Sequence, residues 1–214
     1  WMSLQVAGIA TILGMLVGIP LGTLLALKKF RGWGSAATLL NVGMMLPPVA
    51  IGLLVFLLLS RQGPFGSFSL LYSVTAMIIA EFFIAAPVIG AITMSGVASV
   101  PKDVRIQALG LGASRWQSIW LVIRESRVTL LSAIVAGFGA AISEVGAVMM
   151  VGGNLSSGGV NRTGTMTTAI MALVRQGEYA RAMALGIILL LLALLITFIL
   201  TWTQQGIRRR WLQS

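Results

Sequence analysis

Five apolar runs, each long enough to cross a lipid bilayer as a helix, constrain this chain more than any other feature. They occupy residues 4–27, 36–59, 71–100, 128–151 and 182–202. A hydrocarbon core about 30 Å thick takes roughly 20 helical residues at 1.5 Å each. Backbone amides inside it have no water to bond, so each run is expected to close its own hydrogen bonds as a helix. With 57% hydrophobic and 9% charged residues among 214, the chain has too little polar surface to cover a water-soluble globule. The expected fold is an all-α membrane protein of five transmembrane helices, one domain over residues 1–214. A sixth apolar piece, residues 163–174, is too short to span and is bracketed by Arg162, Arg175 and Glu178. It reads as a re-entrant or pore-lining helix sheltered from lipid by protein.

The first run has no basic flank before it and is followed by Lys28, Lys29 and Arg31, so it reads as a span and not as a cleaved signal peptide. The chain begins at Trp1, and residues upstream of it are expected. A net charge of +10 raises nucleic acid as a partner, but its distribution argues for a membrane instead. If the connections after the first, third and fifth runs are cytoplasmic, they hold Lys28, Lys29, Arg31, Lys102, Arg105, Arg115, Arg124, Arg127 and Arg208 to Arg210. Arg61, Arg162, Arg175 and Arg181 are left outside. The excess of inner cations puts the N-terminus outside and the C-terminus in the cytoplasm. Trp1, Trp33, Trp202 and Trp211 lie near the expected interfaces, where tryptophan concentrates.

The chain has neither cysteine nor histidine, which removes disulfides, thiol chemistry, imidazole metal sites and histidine-activated nucleophiles. None of its three lysines follows a phosphate-cradling glycine loop, so any ATP used in transport must be hydrolysed by another chain. An enzyme embedded in the membrane is disfavoured for the same reasons.

The longest polar connection, residues 101–127, carries its own punctuation. Pro101 and Asp103 suit the start of a helix. Gly110 and Gly112 are expected to end it in positive-φ conformations. Ser114 and Gln117 have the spacing of a reciprocal cap that begins a second helix. Ile106, Leu109, Ala113, Trp116 and Trp120 fall near one face. That face suits either an interfacial helix lying on lipid or a surface gripped by a protein. The small residues Ala108, Gly110, Gly112, Ala113 and Ser114 favour the second, because they let another surface approach closely.

The loop resembles the cytoplasmic loop of importer permeases of ABC transporters, whose pattern is Glu-Ala-Ala, three residues, glycine, nine residues, then Ile-x-Leu-Pro. Here Ile106-Gln107-Ala108, Gly112 and Val122 take the corresponding positions, while Ile106 replaces the acid and Arg124-Glu125 replace Leu-Pro. Longer blocks, "LGASRWQSIWLVIRE", "AAISEVGAVMMVGGN", "TGTMTTAIMAL" and "NVGMMLPPVAIGLLVFLLLSRQGPFG", are similar to tungstate-specific permeases, relatives of the molybdate and sulfate permeases. The resemblance covers essentially the whole chain. It implies the fold of type I ABC importer permeases and a tungstate oxyanion as substrate, with molybdate or sulfate as the alternative. It also implies ATPase contact at Arg105, Gln107, Ala108, Gly110, Leu111, Gly112, Ala113, Ser114 and Arg115. The 101–127 loop would then hold the coupling helix that transmits ATPase closure to the spans.

Glu81 and Glu144 lie inside apolar runs, where a charged side chain costs roughly 2.5–3.5 kcal/mol on insertion scales. Each should face the bundle interior. Glu144 is either part of the translocation path or gate, or a structural acid bonded to nearby backbone or to Ser143. Gly137, Gly139, Ala140, Gly146 and Ala147 form a small-residue surface that suits close packing or a pore-lining side. Met149 and Met150 are core, lipid-facing or gate residues. The glycine- and serine-rich stretch with Asn154, Arg162 and Thr163 is either a plain connection or the mouth of an oxyanion path, and Thr165, Thr167 and Thr168 either line it or bond their own backbone.

Half a pathway per chain implies a homodimer of about ten spans in lipid. The resemblance adds two cytoplasmic ABC ATPase subunits and an extracytoplasmic tungstate-binding protein. No cofactor belongs to this chain; ATP and magnesium would sit on the partner ATPase. The competing class is an ATP-independent channel, for which the polar loop is only an anchor.

Overall fold

The computed structural model describes residues 1–153, 156–157, 160–161 and 163–211. Ten α-helices run through them in order: α1 (Met2–Leu27), α2 (Trp33–Met45), α3 (Pro48–Leu59), α4 (Val74–Ala98), α5 (Lys102–Gly110), α6 (Arg115–Glu125), α7 (Arg127–Ile142), α8 (Gly146–Gly152), α9 (Met166–Arg175) and α10 (Tyr179–Trp211). A two-residue hairpin, β1 (Ser156–Ser157) against β2 (Val160–Asn161), is a small addition to the expected all-α fold.

The apolar runs become helices, but two of the five do not become straight rods. The run at 36–59 breaks at Pro47-Pro48, and α3 leaves α2 at 106°. Neither proline has an amide hydrogen, and the residue before a proline is driven out of the helical region. Leu46 accordingly sits at φ −62°, ψ 135°, and Pro48 starts α3. The run at 128–151 bends by 58° between α7 and α8. Three helical segments are long and apolar enough to cross unbroken, α1, α4 and the 179–199 part of α10, and the two bent pairs bring the number to at most five.

At the centre stands α4, in contact with α1, α2, α3, α7 and α8. It is anchored at its start by Ser73, whose Oγ accepts from the Ala76 amide at 3.2 Å. Its closest neighbour is α1, and small side chains explain why. A Cβ built on Gly14 would lie 3.3 Å from the Ala86 amide nitrogen, and one on Gly18 would lie 2.8 Å from the Ala86 oxygen. One on Gly22 would collide with the Gly90 oxygen. Ala10, Gly14, Gly18 and Gly22 thus form a stripe at four-residue spacing that brings the backbones together, as small residues do in lipid, where hydrophobic burial supplies no driving force between helices. The contacts advance together along both chains, so α1 and α4 run parallel.

The small residues of the fourth run are divided by its bend. Gly137 packs on Ile89 of α4, whereas Gly146 meets Val49 and Ala147 meets Gly52 of α3. Gly139 faces open space. Close packing, in two directions, is what most of these residues do. By contrast, α10 is nearly uncovered along its apolar length, with Ile187, Leu191, Leu195 and Phe198 all exposed.

Candidate functional site

The residues singled out from the sequence gather at the two ends of the α1–α4 pair. At the start of α1, the Met166 amide donates to Ser3 Oγ at 2.7 Å, which ties α9 there. At the other end, Leu25 of α1 and Val97 of α4 share a cavity wall with Pro101, Arg105 and Ile106. The rise from Ser3 to Leu25 is roughly 33 Å at 1.5 Å per residue, about the thickness of the hydrocarbon core.

The elbow between α5 and α6 is closed by two interlocking caps. At the end of α5 the Gly112 amide donates to Leu109 O and the Ala113 amide to Ala108 O, both at 3.0 Å. These are the paired bonds of a Schellman turn, which needs one residue in the left-handed region, and Gly112 supplies it at φ +88°. Gly110 does not share that role: it lies within α5 at an ordinary helical angle. One reversal of the chain needs one left-handed residue. Pro101 likewise stands just before the first turn of α5 and not within it.

Two residues on, the Ser114 amide donates to Gln117 Oε1 at 2.7 Å and the Gln117 amide to Ser114 Oγ at 3.3 Å, the reciprocal cap expected from the spacing. The four residues of the joint are therefore held by local bonds on both sides. Ser118 and Val122 bury the inner side of α6. Ser126 bonds Val122 O at 2.8 Å, and α7 starts at the next residue. Ser126 alone thus separates α6 from α7.

The outer side is left bare. Leu111 is 90% exposed and Trp116 81%, with Ile106, Leu109 and Trp120 also open. Gln107, Gly110, Gly112, Ser114 and Arg115 are exposed; Arg105, Ala108 and Ala113 are half-buried. Side chains added at Gly110 or Gly112 would meet nothing within 4 Å. This is a largely apolar, glycine-lined surface on which none of the described residues packs.

At the opposite end the α7–α8 bend is organised by Glu144. Its Oε1 accepts from the Ala147 amide at 2.9 Å, capping α8, and its backbone oxygen accepts from Thr167 Oγ1 at 3.1 Å. Glu144 thus bonds backbone and side chain across the break, as its structural reading requires, and Ser143 bonds Gly139 O instead. Glu81, on α4, is 2% exposed, and its Oε2 has no hydrogen-bond partner among the described residues. Met149 and Met150 are half-buried on α8, and Thr163 is buried before α9. Asn154 and Arg162 lie outside the described residues.

Helix α9 begins at Met166, later than the run at 163–174 suggests. Its start is fixed by a second reciprocal cap: the Thr165 amide donates to Thr168 Oγ1 at 2.9 Å and the Thr168 amide to Thr165 Oγ1 at 3.2 Å. Two of the threonines therefore bond local backbone, while Thr167 reaches Glu144. Sequence reading missed Ser3, for which a lone serine near a terminus is no signal. It also missed the Ala10–Gly14–Gly18–Gly22 stripe, whose four-residue spacing was legible.

Comparison with known proteins agrees with this geometry. A profile described as "Binding-protein-dependent transport system inner membrane component" matches residues 18–211. A probable anion ABC transporter permease protein of Haloferax volcanii is 40% identical over 193 residues, covering 90% of this chain and 83% of that protein. The tungstate uptake system permease protein TupB of Peptoclostridium acidaminophilum is 38% identical over 207 residues, covering 96% and 88%. Among solved structures, a bacterial ABC transporter involved in import of the acidic polysaccharide alginate superposes with a TM-score of 0.78 at 20% identity, over 96% of this chain and 77% of the other. The inward-facing MetNI methionine ABC transporter gives 0.72 at 16%, over 98% and 93%. These two likenesses establish the fold.

Proposed function

Because this chain belongs to the family of binding-protein-dependent transport system inner membrane components, and is thus a non-catalytic permease subunit of an ABC importer, we propose that it carries tungstate into the cytoplasm. In this reading two copies form the pathway, with their N-termini outside and C-termini inside. Two ATPase chains dock below, and an extracytoplasmic binding protein delivers the oxyanion above. Tungstate is favoured because permeases named for its uptake are 38% and 32% identical over most of this chain, whereas the molybdate and sulfate permeases compared stand at 25% and 26%.

The observation that carries the ATP-driven part of the proposal is the elbow. It is braced by caps on both sides yet presents Leu111, Trp116 and Trp120 uncovered. Such a surface fits a cleft in a cytoplasmic ATPase, with Arg105, Gln107, Ala108 and the residues from Gly110 to Arg115 as the contact. ATP-driven closure of that cleft would move α5 and α6 as a body, and Ser126 would pass the movement to α7. At the far end Glu144 holds α8 bent away from α7. Met149, Met150 and Thr163, with Asn154 and Arg162, are proposed to border the gate. A charged Glu144 would repel a dianion, so its role is to shape this gate and not to bind the ion.

The test is ATP hydrolysis by the permease reconstituted with its ATPase and binding protein, comparing tungstate, molybdate, sulfate and no ligand. Stimulation by tungstate at the lowest concentration supports the proposal. Preference for molybdate or sulfate would replace the substrate and keep the mechanism. Equal rates in all four conditions, and an unchanged rate in Gly112→Arg, would refute ATP coupling through the elbow and favour a channel.

A further inference from the structure

Beside the elbow lies a cavity of about 850 Å³ that shares Arg105 with the proposed ATPase contact and has no other part in the transport reading. It is bounded by the ends of α1 and α4, by residues of α2, and by α5 and Val122 of α6. Its walls are apolar: Leu25, Met94, Val97 and Val122 are among them. Among the described residues its charged groups are of one sign, beside the neutral Asn41 and Ser95. Lys29, Lys102 and Arg105 line it together, and no carboxylate does; Asp103, in the same turn of α5, is not part of the lining. Lys102 and Arg105 form no ion pair among the described residues. Lys29 Nζ rests 5.8 Å from the centre of the Trp33 ring, and the Trp33 indole is itself held by a 2.6 Å bond from Nε1 to Leu25 O.

We infer that this cavity binds a phospholipid with an anionic headgroup, its phosphate held by Lys29, Lys102 and Arg105 and one acyl chain lying against Leu25, Met94 and Val97. Charge complementarity selects the headgroup: three cations with no counter-ion among the described residues line one cavity where the spans end, the depth at which lipid phosphates lie. The apolar walls select a lipid over a free anion. A bare oxyanion would leave the apolar walls facing water, whereas roughly 300–1,000 Å³ is the range of pockets that enclose a sizeable, largely apolar ligand. The indole at the mouth, apolar on its faces and polar at its nitrogen, suits the same boundary. Since Lys102, Arg105 and Ile106 belong to α5, a lipid seated here would brace the elbow through that helix, beside its uncovered tip at Leu111 and Trp116.

The full permease, extracted from membranes and exchanged into mixed micelles, would be titrated with phosphatidylglycerol or phosphatidylcholine and the retained lipids counted by native mass spectrometry. Phosphatidylglycerol should be retained in preference to phosphatidylcholine. At roughly fivefold per cation near a membrane surface, Lys29→Gln/Lys102→Gln should weaken retention roughly 25-fold. The control pair Lys28→Gln/Arg31→Gln removes the same charge from positions beside Lys29 that do not line the cavity, and should change little. Met94→Trp fills the apolar part with all charges kept and should also lose the lipid. Equal retention of the two lipids, equal losses in the two charge pairs, or full retention in Met94→Trp would overturn the inference. Displacement by excess inorganic phosphate would overturn it too, in favour of a free-anion site.

Discussion

Replacing Gly112 and Gly110 by alanine, one at a time, tests the geometry of the elbow with opposite signs two residues apart. Gly112 stands at φ +88° with open space around it, so an added methyl group clashes with nothing and the cost is purely that of backbone conformation. Holding an L-residue in the left-handed region costs roughly 1–2 kcal/mol. The reduced freedom of the unfolded chain returns about 0.4–1 kcal/mol. The net is about 1 kcal/mol of destabilisation, confined to the Schellman turn. Gly110 is helical and equally unobstructed. Alanine is favoured over glycine there by up to about 0.8–1 kcal/mol, and about half of that is expected at a helix end. The two variants should differ by about 1.5 kcal/mol, or roughly tenfold in the opening equilibrium of the joint. Amide hydrogen exchange of the purified permease reads this directly at Ala113, whose amide bonds Ala108 O at 3.0 Å. Exchange there should accelerate in Gly112→Ala and slow in Gly110→Ala. Equal rates in the two variants would mean that Gly112 is not the residue that reverses the chain, and the elbow would have to be rebuilt.

Removing the cap with Ser114→Ala should cost about 1 kcal/mol and speed exchange at Gln117, whose amide bonds Ser114 Oγ; unchanged exchange would contradict the cap. Along the α1–α4 contact, Gly18→Ala places a methyl group 2.8 Å from Ala86 O, and about 1–3 kcal/mol of overpacking should lower the melting temperature in detergent. Gly8→Ala, with nothing within 4 Å, is the control and should not lower it. At the bend, Glu144→Gln keeps a carbonyl oxygen for the Ala147 amide and should leave stability nearly intact, whereas Glu144→Ala loses that acceptor and about 1 kcal/mol. Equal melting temperatures for those two variants would show that the cap does not hold α8.

Much of this organisation is local, and local organisation is legible in sequence. A membrane-length apolar run has one stable way to satisfy its backbone in lipid, so its helical state follows from length and composition alone. The reciprocal cap at Ser114 and Gln117 spans four residues and depends on nothing distant. Gly112 follows from the need to reverse the chain between two helices, although the spacing alone did not distinguish it from Gly110. The resemblance to oxyanion permeases, carried by the same residues, agrees with the family matched over residues 18–211.

Length, composition and cap spacing are enough to specify an integral membrane bundle with a capped polar elbow. Where that bundle bends and what its polar groups meet depend on packing between helices. Pro47-Pro48 announces an interruption, but the 106° between α2 and α3 depends on what α3 packs against, namely α8. Glu144 reads as a gate or a brace until the Ala147 amide and Thr167 are brought to it from separate elements. The α1–α4 approach, the tie from Met166 to Ser3, and the three cations that share a cavity join residues up to 163 positions apart. Such contacts depend on which helix lies beside which, a choice made by packing in three dimensions and not by the periodicity of any one segment.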